Sequence, residues 1–151
     1  MPRVQVRALI VRYGRLLLTK NSDHNEEFYL LPGAAVEFGE TMTEALQRGC
    51  REQLGCEVTI EDVAVVRDYR GAQHEFADVE AGQQEVDVMF RCSVPDEVMP
   101  EFEGSAEEGW QTGIRWVPTD QLQPVPLYPA ALKMWFRTAP ADRKVYLGDV
   151  N

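Results

Sequence analysis

Val4, Val6, Ala8 and Ile10 alternate with polar residues, and after Tyr13-Gly14-Arg15 a second apolar run occupies residues 16–20. A period of two marks a strand with one buried face, and a short polar break between two such runs marks a β-hairpin. Residues 21–27 are almost wholly polar and read as a loop. Residues 28–31 form a short apolar run that stops at Pro32, which lacks the N–H a ladder needs, so they read as a brief buried strand.

From residue 41 the period changes. Ala45, Leu46, Cys50 and Leu54 fall on one helical stripe, Thr41 stands as N-cap with Glu44 three residues on, and Gly55 is placed to stop the turn. An amphipathic helix over residues 41–54 follows. The β-branched stretches 58–68, 86–94 and 114–117 are predicted strands. Residues 127–137 are predicted as a closing helix with Pro129 in its first turn. Strands on both sides of one long helix, with no repeat or linker, imply a single α/β layered domain over residues 1–151.

Composition changes this picture little. With 151 residues, 44% hydrophobic and 26% charged, the chain buries roughly 68–70% of its unfolded surface and requires no disulfide or structural metal. Charge changes it more. A formal net charge of −10 argues against duplex nucleic acid as a partner, because phosphate binding draws on clustered Lys and Arg. A small phosphorylated ligand stays open if a divalent cation supplies positive charge locally. Cys50, Cys56 and Cys92 form no CxxC pair and read as reduced thiols. The N-terminus lacks a small-residue cleavage site, and no run approaches about 18 apolar residues, so the expected location is cytoplasmic, away from membranes.

The chemistry concentrates in LPGAAVEFGETMTEALQRGCREQLGCEV, residues 30–57. A glycine-bearing turn that enters a capped helix gathers free N–H groups and the positive end of the helix dipole at one place, which suits an anion. Carboxylates at i, i+3 and i+4 one turn further in share a face and can hold a hard cation. This segment resembles the Nudix box, G-x5-E-x7-R-E-U-x-E-E-x-G-U with U aliphatic. Glu40, Arg48, Glu52 and Gly55 agree with it at the right spacing, and Pro32, Gly33, Glu37 and Gly39 add agreement around them. Ala34, Gly49 and Gln53 depart, standing where the family has glycine, glutamate and glutamate.

The resemblance implies a Nudix-type α/β/α sandwich with a mixed central sheet, one long box helix and a C-terminal helix. It also implies Mg²⁺ or Mn²⁺ as cofactor, a small nucleotide-type substrate, and hydrolysis of a diphosphate linked to another moiety. Carried over residue by residue, Glu52, Arg48 and Glu40 are the catalytic candidates, with Arg48 and Glu40 orienting loop and helix. Glu52, Gln53, Gly33 and Glu37 are the metal candidates. By spacing alone Glu44, Arg48 and Glu52 are equally a solvated salt-bridge stripe.

The departures carry a cost. A carboxylate about 4 Å from a cation contributes on the order of 4 kcal/mol per unit charge product at an effective dielectric near 20, so metal affinity is expected to be weakened. If the glutamate missing at 49 served as general base, a further factor of roughly 10²–10⁴ in rate is lost. Restoring both carboxylates, with Gly49 taken as a helical position where glycine costs about 1 kcal/mol, is expected to stabilise the helix and revive metal binding.

Outside the box, Glu85 and Asp87 lie opposite Val86, Val88 and Phe90 on their strand; replacement ligands are one reading, solvent exposure the favoured one. Glu101, Glu103, Glu107 and Glu108 belong to an acidic loop from which a base or ligand could come. Phe28, Tyr29, Tyr69 and Trp110 are candidates for base stacking or for packing. His24 and His74 lack metal-ligand spacing, and no role is assigned to them. Two functions remain open. One is a metal-dependent hydrolase, weak or with substituted ligands; the other is a catalytically impaired fold that binds a nucleotide or protein. The sequence assigns no oligomeric state, and a homodimer is compatible with it.

Overall fold

The computed structural model describes residues 1–104 and 109–151. The opening hairpin pairs β1 (Arg3–Arg12) with β2 (Arg15–Asp23), followed by β3 (Glu26–Leu30) and β4 (Gly33–Ala35). The helix α1 (Met42–Leu54) comes next, then β5 (Thr59–Arg70), a single turn α2 (Ala77–Glu80), and β6 (Gln84–Ser93). β7 (Gln111–Pro118), β8 (Leu127–Tyr128), α3 (Ala131–Arg137) and β9 (Tyr146–Asp149) complete the chain. The sheet runs β8-β3-β2-β1-β6-β5-β9, with β4 paired to β1 and β7 to β2. The β1–β6, β3–β8 and β5–β9 pairs are parallel and the rest antiparallel, so the sheet is mixed, as expected.

Alternation along the strands divides the apolar residues between two layers. Val6, Ala8 and Ile10 of β1, Leu17 of β2, and Val88 and Phe90 of β6 pack against Ala45, Leu46, Cys50 and Leu54 of α1. Leu9, Leu16, Leu18 and Met89 point to the other face, where Leu132 and Trp135 of α3 cover them. β2 is therefore buried on both faces, which explains its unbroken Leu16-Leu17-Leu18. Helices on opposite faces of one sheet give the expected α/β/α sandwich.

The helix α1 starts and stops as the sequence predicts. Glu44 N–H donates to Thr41 Oγ1 at 3.1 Å and Thr41 N–H to Glu44 Oε1 at 3.1 Å, a complete capping box, and Gly55 closes the helix in the left-handed conformation.

Two segments differ from expectation. Residues 21–27 form no loop: β2 and β3 continue through them and turn at His24-Asn25, both at positive φ, with Ser22 paired to Glu27. Polar side chains suit an exposed hairpin end, and Asn accepts left-handed backbone, so polarity alone does not separate this turn from a loop. Residues 127–128 are strand and α3 begins only at Ala131. Tyr128 precedes Pro129, which disfavours helical backbone, and Tyr29 N–H instead reaches Pro126 O at 2.9 Å. The short β4, the turn α2 and the final strand β9 have no counterpart among the elements predicted from the sequence.

Candidate active site

The box loop is organised around Arg48, on the outward side of α1. Its Nε donates to Glu40 Oε2 at 2.9 Å and one terminal nitrogen to Glu40 Oε1 at 3.0 Å; that same nitrogen also reaches Ala35 O at 2.9 Å. Glu37 N–H donates to Glu40 Oε1 at 2.9 Å, and Glu40 N–H returns to Glu37 O at 3.0 Å. The Arg48 hydrogen bonds, aided by the Glu37 N–H, lower the Glu40 pKa from 4.5 to about 2. Glu37 and Glu52 stand further from the guanidinium, at 3.8 and 3.9 Å, with 70% and 64% of their side chains exposed. Arg48 and Glu40 thus hold the loop to the helix.

Gly49 is buried, not an open helical position. A Cβ built there would stand 2.6 Å from Gly33 O and 3.0 Å from Ala34 Cβ. Gly33 is hemmed in from the other side as well, since its own Cβ would fall 1.9 Å from Val6 O and 2.8 Å from Arg7 Cδ. Helix, loop and β1 therefore meet backbone to backbone at a pair of glycines. Gln53 locks the same junction by accepting the Gly33 N–H at 2.8 Å through Oε1. Its main-chain carbonyl takes a hydrogen bond from Gln111 Nε2 at 2.9 Å.

These residues do not fit a tight divalent-metal site. Of the three positions where the family pattern has carboxylates on the helix, 49 has neither side chain nor room for one, 53 is a neutral amide whose oxygen is engaged by Gly33, and only Glu52 keeps a carboxylate, 3.9 Å from the Arg48 guanidinium. Glu40 is taken up by Arg48. Among the described residues no group of three His, Cys, Asp or Glu side chains is arranged to hold a metal ion.

The other sequence candidates separate by burial. Glu101 and Glu103 are exposed; Glu101 docks its N–H on Leu54 O at 2.8 Å, tying the acidic segment to the end of α1, while Glu107 and Glu108 lie outside the described residues. Tyr29 and Tyr69 are buried packing residues. Phe28 meets Trp110 edge to face at 6.1 Å, and Trp110 is 61% exposed beside Gln111. His24 is exposed in the β2–β3 turn, whereas His74 stacks on Tyr69 at 5.4 Å and contacts Asp149 Oδ1 at 2.6 Å.

Asp87 overturns the expectation of solvent exposure. It is 1% exposed, on the α3 face of β6, and takes the Arg67 Nε–H on Oδ2 at 2.6 Å. Arg67 in turn donates to Val150 O at 2.7 Å and Asn151 Oδ1 at 3.0 Å. Alternation correctly placed Asp87 opposite Val86 and Val88, but both faces of this sheet are covered, so the second face is also interior. Arg7, Arg67 and Asp87 line a small cavity of about 20 Å³ with Leu30, Leu31, Tyr128 and Pro129. No sequence signal singled out Arg7 or Arg67. The available one was charge of opposite sign at inward positions of neighbouring strands.

Residues 1–137 match the family model described as the NUDIX domain. Among solved structures, the chain is similar to a MutT Nudix hydrolase from Burkholderia pseudomallei, at 25% identity over 91% of this chain and 97% of that one, with a TM-score of 0.67. It is similar in fold to a UDP-X diphosphatase, at 21% identity over 99% of this chain and 68% of that one, TM-score 0.70. An ADP-ribose pyrophosphatase from Streptococcus suis shares the fold at 16% identity over 99% and 98% of the two chains, TM-score 0.66. No curated protein matches.

Proposed function

Since the chain belongs to the Nudix family, we propose that it binds a small ligand of the nucleoside diphosphate type and retains diphosphate hydrolysis only as a slow, Glu52-dependent remnant. Nudix hydrolases generally use divalent metal ions, and the solved relatives named for ADP-ribose and UDP-X point to nucleoside diphosphates linked to a second group. The observation that carries the reading is Gly49: the position where the family places a carboxylate is packed against Gly33 O with no space for a side chain. The remnant is kept in the proposal because Arg48 and Glu40 still form the loop clasp and Glu52 still presents a carboxylate beside it. No membrane partner is proposed; among the described residues no helix is long and apolar enough to cross a membrane.

Two measurements test this on one protein sample. Equilibrium binding of ADP, GDP, UDP, CDP and ADP-ribose is measured in chelator, and their hydrolysis is measured with Mg²⁺ and with Mn²⁺. Binding in chelator is expected to survive, with slow turnover that Glu52→Gln abolishes without altering that binding. Fast turnover that chelator removes would overturn the impaired reading, and absence of binding to every member of the panel would overturn the ligand class.

A further inference from the structure

One long edge of the sheet, the outer side of β7, is left open. Tyr13 and Gly14, both at positive φ, form a two-residue turn that closes on the Arg12/Arg15 pair, so Arg15 spends its backbone bonds on β1. Bonding direction alternates along an antiparallel strand, and Leu16 and Leu18 therefore turn theirs toward β7, where Val117 and Arg115 stand opposite. Thr119 N–H keeps the same parity by donating to Gly14 O at 3.0 Å. Ile114 and Trp116 are left with N–H and C=O directed away from β2, and among the described residues no backbone group pairs with them.

An open row of this kind is a template for another strand, and chains that stay apart guard it with charge, proline or a covering segment. β7 has little of this. Its sequence QTGIRWVP contains no acid and one base, and that base, Arg115, lies over the Tyr29 ring at 5.3 Å on the α3 face. Pro118 stands at the far end, its carbonyl already bound by Gln121 N–H at 2.9 Å. Ile114 and Trp116 are partly buried against the layer beneath α1, so their side chains border the edge with apolar surface. The chain carries a net charge of −10, which keeps copies apart wherever acids face each other; along β7 two copies meet without opposing carboxylates.

We propose that two copies of the chain join through β7, edge to edge and antiparallel about a two-fold axis, in one continuous sheet. Such pairing is self-complementary by symmetry. Charge and proline select its register. An axis at Arg115 sets that residue directly opposite the partner's Arg115, a like-charge pair that destabilises. An axis at Trp116 sets Ile114 against the partner's Pro118, which has no N–H to give. An axis at Ile114 avoids both. There Ile114 exchanges both backbone bonds with the partner's Ile114, Arg115 faces the partner's Gly113, and Trp116 extends toward the partner's Thr112. The interface is independent of what the box binds.

Backbone hydrogen exchange on the whole chain reads the contact, with sedimentation velocity run over the same concentrations, from about 1 µM to about 1 mM. The Arg115 and Val117 amides, bonded to β2, are expected to stay protected throughout. The Ile114 and Trp116 amides are expected to exchange freely in the monomer, and at least about tenfold more slowly wherever sedimentation shows a dimer. Ile114→Pro removes one outward N–H without touching the bonds to β2, and should keep the chain monomeric at every concentration. Should that variant fail to fold, exchange on the unmodified chain decides alone. A monomer throughout, with both amides open, overturns the proposal and leaves the edge to a foreign strand. A dimer in which they stay open places the interface elsewhere and overturns it equally. Protection of both amides in a monomer overturns it too, because the edge is then covered from within the chain.

Discussion

At the residue scale, Gly49 changes meaning between sequence and structure. Read along the chain it is a lost carboxylate in a helix, where a larger residue should help. In three dimensions it is the contact that lets α1 touch the box loop. Gly49→Ala gains about 1 kcal/mol of helix propensity but drives a methyl into a backbone carbonyl, and such overpacking typically costs about 1–3 kcal/mol. A net loss of roughly 1 kcal/mol is expected in chemical denaturation, and unchanged or higher stability would refute the close packing. For the same reason a glutamate restored at 49 would strain the junction, contrary to the gain in helix stability that the sequence implies, whereas one at 53 keeps an oxygen for the Gly33 N–H. Glu40 gives a prediction in pH. Its folded pKa of about 2 lies below the ordinary 4.5, so its contribution is fully present above about pH 4.5 and is lost as pH falls toward 2. The melting-temperature gap between the parent and Glu40→Gln should therefore be widest above pH 5 and shrink through that window. A gap that stays constant down to pH 2 would mean the Arg48 clasp is absent in solution. Spacing alone grouped Arg48 with Glu44 and Glu52, and the resemblance assigned Arg48 and Glu40 orienting roles without pairing them; neither could show the crowding at Gly49, because that depends on how closely a loop 16 residues before it in the chain approaches.

At the scale of elements, legibility followed the strength of local signals. The capping box and the stripe of Ala45, Leu46, Cys50 and Leu54 specify α1 without help from the rest of the fold, and the helix appears where they place it. Thr41→Ala removes the Glu44 N–H acceptor and should lower stability by about 1 kcal/mol, equivalent to roughly 2–4 °C in melting temperature for a domain of this size. No shift would show that the helix start is held by the Arg48 clasp alone. The elements that escaped prediction share a dependence on partners. β8 is two residues long and exists because Tyr29 and Leu30 pair with it, and β9 is added to the edge of β5. Neither has a periodicity of its own along the chain. The polar turn at His24-Asn25 was missed for the opposite reason: its residues are as suited to a loop as to a hairpin, and only the register of β2 on β3 decides.

At the scale of the whole molecule, one sheet separates two apolar layers, and the layer beneath α1 contains the thiols of Cys50 and Cys92. Burial pushes the pKa of both up to about 12, while Cys56 is only half-buried, and no disulfide joins the three. A thiol that is both covered and protonated is inert toward alkylating reagents until the structure around it opens. The protein thus carries its own opening reporter, with no label introduced. Under native conditions a thiol reagent should modify Cys56 alone. Cys50 and Cys92 should follow only at the rate at which α1 lifts from the sheet, and together, since one layer shields both. Adding low denaturant should accelerate the slow pair and leave the fast site nearly unchanged. Rapid modification of all three in buffer would mean that α1 is not seated on β1 and β6. Because Gly49 adjoins Cys50, a side chain introduced at 49 should speed the slow phase along with the loss of stability. A box rebuilt toward the family pattern would in this way announce its strain as sulfur chemistry on the far side of the helix.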